Sequence, residues 1–250
     1  GEMLHASGGV SSFSGYTFSD AAPFGISGIG CSEMRPLQAT LCGHSPVHSY
    51  NYTHIDIMRT LVFATHNLHK LREVRDMLPH DSIRLVGLTD LGQMEPLPET
   101  SATIEGNALQ KARFVKEHYG YDCFADDTGL EVEALHGAPG VYSARYAGEA
   151  CDSAANVRKL LEALRDTDHR KARFRTVIAL ITDREERLFE GEVTGQITTE
   201  AHGAGGFGYD PIFRPDGFDR TFAELSPDEK NAISHRGRAV RRLVQHLTNR

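Results

Sequence analysis

Basic residues are the first scarcity of this chain: 27 Lys and Arg stand against 34 Asp and Glu, a formal net charge of -7 over 250 residues. A general nucleic-acid coat, or a protein that lies on anionic membranes, carries a clear basic excess, so neither partner is expected and any phosphate site has to be local. Cysteine is sparse too. Cys31, Cys42, Cys123 and Cys151 lie far apart without Cys-x-x-Cys spacing, which argues against a zinc knuckle or a disulfide framework and makes the reducing cytoplasm the expected compartment. Long apolar runs are also missing. No stretch approaches the roughly 20 consecutive apolar residues that cross a bilayer, so no spanning helix is expected. What remains is an ordinary globular composition, long enough for one large domain or two small lobes around a substantial core.

Residues 1–57 differ from the rest: they are rich in Ser, Gly and His, hold no apolar period, and have Arg35 as their only Lys or Arg. A secretory signal needs a basic start and a compact apolar core, and a mitochondrial presequence needs more arginine. The segment reads as a poorly ordered N-terminal extension, with Met58 as the native start of a domain over residues 58–250. From Thr60 the pattern becomes one of alternating elements. A strand-like run at 61–64 leads into a helix with Leu68, Leu71, Val74 and Leu78 on one face. A strand near 83–86, a Pro-containing loop at 95–99 and a helix carrying Ala108, Ala112, Val115 and Tyr119 follow. Further on come a helix with Val157, Leu160, Leu161 and Leu164 inward, and strands at about 174–182 and 187–199 joined as a hairpin. Ser226-Pro227-Asp228-Glu229 has the capping-box form, and a last helix uses Val240, Leu243, Val244 and Leu247 as its buried stripe. With no internal repeat, a single mixed α/β domain with two lobes is expected.

Two acids interrupt an apolar run in Phe124-Ala125-Asp126-Asp127-Thr128-Gly129-Leu130-Glu131-Val132. Buried carboxylates cost several kcal/mol unless paired, hydrogen-bonded or bound to a metal. Side by side near one cation, both acids are expected to stay ionised. Glu99 and Glu105 upstream add oxygen ligands suited to Mg²⁺, and no His/Cys arrangement has zinc spacing. A cap or salt-bridge pair is the plain alternative. Thr65-His66-Asn67-Leu68-His69-Lys70 stands at a strand-to-helix junction, where free backbone N–H groups favour an anion and Lys70 adds charge; the same residues would serve as a simple N-cap with a solvated lysine. Gly203 to Pro211 formally contains GxGxxG, but Pro211 follows at once and no opening parallel strand precedes it, so a dinucleotide site is not expected. The loop suits a ring stack through Phe207 or Tyr209 with Asp210 accepting hydrogen bonds, or a flexible turn. Lys230-Asn231-Ala232-Ile233-Ser234-His235-Arg236 gathers phosphate- and base-reading side chains at a helix junction, or a charged solvated helix start. Asn107, Lys111 and Arg145 add polar donors.

Seven blocks stand in order: ThrHisAsn-x-x-Lys at 65–70, Glu99-Thr100, GluGlyAsnAla at 105–108, AlaAspAspThrGlyLeu at 125–130, GlyAlaProGlyValTyrSerAlaArgTyr at 137–146, GlyGlyPheGlyTyrAspPro at 205–211 and GluLysAsnAlaIleSerHisArg at 229–236. Together they closely resemble the Ham1/inosine triphosphatase family, over about residues 59–248. The resemblance implies an α/β fold with a mixed central sheet and two lobes around a long cleft, related to the Maf fold. It implies a homodimer that uses Mg²⁺ to hydrolyse non-standard purine nucleoside triphosphates (ITP, dITP, XTP) to the monophosphate and pyrophosphate, cleaning the nucleotide pool. By the family pattern, Thr65, His66, Asn67, Leu68, His69, Lys70 and Lys111 hold the triphosphate, and Glu99 with Asp127 bind the metal. Asp127 is also the general base, with Asp126 beside it and Thr128 on the substrate. Phe207, Gly208, Tyr209, Asp210, Lys230, His235 and Arg236 take the nucleotide-recognition positions. Two positions depart from the pattern: His66 stands where many members have Gly, and Gly106 where others carry a second acid, which favours Glu99 over Glu105 as ligand. A Maf-like pyrophosphatase acting on pyrimidine or methylated nucleotides would open with a Ser-rich, Arg-containing motif that this chain lacks. A catalytically silent nucleotide-binding protein is disfavoured by Asp126, Asp127 and Glu99.

Overall fold

Two parallel strands and the helix between them open the described chain, residues 58–249 of a computed structural model. The expected extension over residues 1–57 lies outside them. Strand β1 (Arg59–Phe63) pairs in parallel with β2 (Ile83–Gly87) from Arg59↔Ile83 to Phe63↔Gly87. Helix α1 (Leu68–Met77) crosses between them, started by the Asn67 side chain, which accepts from the backbone N–H groups of His69 and Lys70. Its apolar stripe begins later than the spacing predicts: Val74 and Leu78 are buried and Leu71 packs against the same core, but Leu68 is 57 % exposed.

Helix α2 (Ile104–Tyr119), capped by Thr103, buries Ala108, Ala112 and Val115 completely. It feeds β3 (Cys123–Val132), and β4 (Pro139–Gly140), α3 (Ser153–Ala163), β5 (Lys171–Ile181) and β6 (Glu186–Ile197) follow. The Thr182 hydroxyl accepts from Arg184 N and Glu185 N, closing the β5–β6 hairpin turn. A short β7 (Phe213–Pro215), α4 (Pro227–Ile233) and α5 (His235–Thr248) complete the described chain. Ser226 and Glu229 form the expected capping box on α4. Strand order is β2-β1-β3-β5-β6-β7, with β4 added to β3. Pairing is parallel around β1 and antiparallel from β3 onward, which makes the sheet mixed.

Two lobes of core share the long strands β3, β5 and β6. One lobe packs α1 and α5 on one side of the first strands, through Phe63, Val74, Phe124, Val240 and Leu243, and α2 on the other, through Val62, Ala108, Ala112 and Ala125. The other lobe gathers Leu130, Leu160, Phe174, Ile212, Phe213 and Phe222. The site-bearing residues fall between them. Strand β1 pairs with β3 only at Cys123 and Phe124, while β4 takes the same edge at Leu130 and Glu131. Residues 126–128 therefore lie where the sheet edge splits and β1 turns away into α1, the crevice beyond parallel strand ends where α/β sheets bind ligands.

Candidate active site

Alternation along β3 gives the two adjacent acids different surroundings. Asp126 faces α1 and α5: it accepts from Lys70 Nζ at 2.9 Å on Oδ1 and from Arg236 Nε at 3.1 Å on Oδ2. Burial would push its carboxyl up, yet Lys70 and Arg236 outweigh this and hold it well below the usual carboxylate range. Asp127 faces α2, where it accepts from Lys111 Nζ at 3.1 Å and Asn107 Nδ2 at 3.4 Å. Burial raises its carboxyl above the ordinary value, with Lys111 and Lys70 offsetting only part. A strand sends neighbours to opposite faces, and each acid finds its own lysine. Thr128, two residues on, shares the Asp126 face: it lies 2.7 Å from Thr176 Oγ1 and accepts from Arg236 Nη2 at 3.2 Å.

Glu99 joins Asp127 at Lys111. Lys111 Nζ lies 2.5 Å from Glu99 Oε1 and 3.1 Å from Asp127 Oδ1, so two carboxylates converge on one point of positive charge. Burial acts to lower the Lys111 pKa, but Asp127 and Glu99 together raise it. Arg145 supports Glu99 from the opposite side, with Nη2 3.4 Å from its backbone carbonyl and Nη1 3.7 Å from Oε2. Glu105 is committed elsewhere, to Arg175 on β5. At Gly106 a Cβ would meet Ser101 Oγ at 1.9 Å, so a side chain there has no room unless Ser101 moves. Among the described residues, no group of three or more His, Cys, Asp and Glu is arranged to hold a metal. Two convergent carboxylates nevertheless suit Mg²⁺, which is commonly held by one or two carboxylates with water and substrate phosphates filling the rest.

The other end of the cleft is built on the loop before β7. Asp210 Oδ2 accepts from Phe207 N at 2.7 Å and Lys230 Nζ at 2.8 Å, and burial pushes its carboxyl up despite Lys230. Gly206 (φ +70) makes this turn possible, since a Cβ there would lie 2.2 Å from Asp210 Oδ2. Lys230 Nζ sits 4.8 Å and Arg236 Cζ 5.4 Å from the Phe207 ring centroid, a cation–π arrangement. Tyr209 does not share this role: it is buried in the second core and its hydroxyl donates to the Ser143 carbonyl at 2.8 Å. Phe207 is thus the ring left for stacking.

His235 is also inward. Its ring stacks on Phe174 at 4.5 Å, and burial with Arg236 and Lys230 nearby holds its pKa well below 6.5, so it is neutral. Among the described residues its Nδ1 is the one buried side-chain polar atom without a hydrogen bond. His66 donates from Nε2 to the Gln93 carbonyl at 3.2 Å, tying the first motif to the neighbouring loop. Thr65 Oγ1 accepts from Asn67 N, and Gly208 (φ +63) turns the chain after Phe207. Sequence reasoning missed Glu73. This α1 residue accepts from Lys230 Nζ at 2.7 Å and from Arg236 Nη1 at 2.6 Å, joining α1, α4 and α5. One acid on an amphipathic helix looks like a solvated face, and only its place one turn beyond Lys70 hinted otherwise.

Solved structures share this architecture. The Staphylococcus aureus Ham1 protein aligns with a TM-score of 0.70 at 38 % identity, covering 76 % of this chain and 99 % of its own. A HAM1 protein from Coxiella burnetii gives 0.71 at 41 %, covering 77 % and 100 %. The Ham1 family model matches residues 61–246, and the chain belongs to the Ham1 family. Among its relatives, the protein of Porphyromonas gingivalis named dITP/XTP pyrophosphatase is 57 % identical over 191 residues, 76 % of this chain and 98 % of that protein. One of the same name from Flavobacterium johnsoniae is 53 % identical over 75 % of this chain and 97 % of its own length.

Proposed function

We propose that this chain is a nucleoside triphosphate pyrophosphatase that hydrolyses dITP, XTP and ITP to the monophosphate and pyrophosphate, within a catalytic domain over residues 58–250. The observation that carries the reading is the convergence of Glu99 and Asp127 on Lys111 beside the separately held Asp126–Lys70 pair. A triphosphate needs this mixture. Lys70 and Lys111 supply positive charge for the phosphate chain and the departing pyrophosphate, and Asp127 is the base that orients the attacking water. Asp126 holds Lys70 and Arg236 in place rather than reacting. Phe207 stacks on the purine, while Lys230 and Arg236, oriented by the Asp210 and Glu73 carboxylates, present donors to the 6-oxo edge.

Glu99 and Asp127 would hold Mg²⁺, which when bound supplies charge neutralisation and polarises phosphoryl oxygen. We assign the protein to the cytoplasm as a homodimer; its described helices include none long and apolar enough to cross a membrane. Pyrophosphate release from ITP, dITP, XTP, the four common triphosphates and a methylated pyrimidine nucleotide, with and without Mg²⁺, tests the reading. The full chain and a chain starting at Met58 are expected to act alike on the 6-oxo purines and to stop when Mg²⁺ is chelated. Turnover of ATP as fast as ITP, or preference for the methylated pyrimidine, overturns it.

A further inference from the structure

His69 belongs by position to the block that resembles a triphosphate-binding motif, but its ring points to the other end of the cleft. It stacks on Phe207, with ring centroids 5.4 Å apart and an interplanar angle of 23°. At 3.6 residues per turn, His69 and Lys70 leave α1 in different directions. Lys70 goes to Asp126. His69 shares its face with Glu73, four residues on, and Glu73 binds the same Lys230 and Arg236 whose charges lie over the Phe207 ring. The His69 ring is therefore part of the cluster built around Phe207.

We infer that His69 forms the second face of the base slot, so that the purine is held between the His69 and Phe207 rings. This rests on the reading of the site as a purine nucleoside triphosphate site and deepens it. A base between two rings needs two van der Waals separations of about 3.5 Å, or about 7 Å in all. At 5.4 Å the rings close on each other, and one must move to admit the base. Phe207 is the fixed wall: its backbone N–H is bonded to the buried Asp210, and two cations hold its ring. His69 is exposed on the first turn of α1 and is the side that swings. Its contact is with the base, not with the phosphates.

Inorganic tripolyphosphate separates these roles, because it has a phosphate chain and no base. Wild type, His69→Ala and His69→Phe are compared by steady-state dITP hydrolysis, calorimetric binding of a non-hydrolysable dITP analogue, and competitive inhibition by tripolyphosphate. His69→Ala is expected to raise KM for dITP and weaken analogue binding about tenfold, or about 1.4 kcal/mol. It should keep kcat within about twofold, as loss of uniform binding does, and leave tripolyphosphate inhibition unchanged. His69→Phe should restore both dITP values. Equal weakening of tripolyphosphate and dITP would make His69 a phosphate ligand and overturn the inference. So would unchanged dITP binding in His69→Ala, or failure of His69→Phe to rescue. If wild type binds the analogue but releases no pyrophosphate from dITP, the proposed reaction falls while the binding comparison still reads the ring contact; if it binds no analogue, both fall.

Discussion

Arg236 donates from Nε to Asp126 Oδ2 at 3.1 Å, and the two side chains are 2 % and 1 % exposed. Arg236 also reaches Glu73 and Thr128, so one guanidinium ties the start of α5 to α1 and β3. Removing one partner of a buried charged pair strands the other without compensation. Asp126→Ala strands Lys70 and takes from Arg236 a carboxylate partner, leaving it Glu73, and is expected to lower stability by about 3–5 kcal/mol in urea denaturation. An unchanged urea midpoint would show that Asp126 does not organise this end of the cleft.

Asp127→Asn separates chemistry from structure. The amide keeps the size of the side chain and one oxygen for Lys111, but it cannot take a proton from water. Pyrophosphate release is expected to fall about 10²–10⁴-fold with a urea midpoint close to that of wild type. Turnover near the wild-type rate would remove Asp127 from the base position.

Glu73 predicts a pH dependence. Burial acts to raise its carboxyl, but Arg236 and Lys230 outweigh it, and the folded pKa lies below the ordinary 4.5. A depressed acid contributes stability that is present above its unfolded pKa and is lost as pH falls through its folded value. Glu73→Gln should therefore cost about 2–3 kcal/mol at pH 7, and the gap to wild type should close as pH drops below about 4.5. Denaturant midpoints measured across that range check it; a gap that stays constant means that the ion pairs add nothing.

A steric test concerns Gly191 on β6. A Cβ there would lie 2.1 Å from the His235 carbonyl oxygen and 2.6 Å from Ala239 N, both backbone atoms of α5. Backbone cannot rotate away as a side chain can, so Gly191→Ala should push the start of α5 off the sheet. The expected cost is about 1–3 kcal/mol, with a higher KM for dITP as Arg236 and Lys230 shift. Wild-type stability and KM would mean that α5 can slide without disturbing the site.

Periodicity made the helices around Ala108, Leu160 and Val240 and the β5–β6 hairpin legible, because apolar spacing and turn residues are local signals. The same reasoning misplaced Leu68, whose spacing fits the stripe of α1 but which lies exposed, outside the core that Leu71 and Val74 join. It also left Phe207 and Tyr209 as equals. Their separation depends on a long-range contact, the bond from the Tyr209 hydroxyl to the Ser143 carbonyl, which no local pattern encodes.

Order and spacing of the seven blocks, read as a chain, were enough to determine the Ham1 family and the chemistry to look for. Only tertiary structure decided which side chains share a task. Asp126 and Asp127 are neighbours in sequence, yet the strand turns one toward Lys70 and Arg236 and the other toward Lys111 and Glu99. Glu73, unremarkable on its own helix, acquires a role only when α4 and α5 bring Lys230 and Arg236 against it. The physical reason is that composition and period report which face a residue occupies, whereas charge pairing depends on what the rest of the chain places opposite that face.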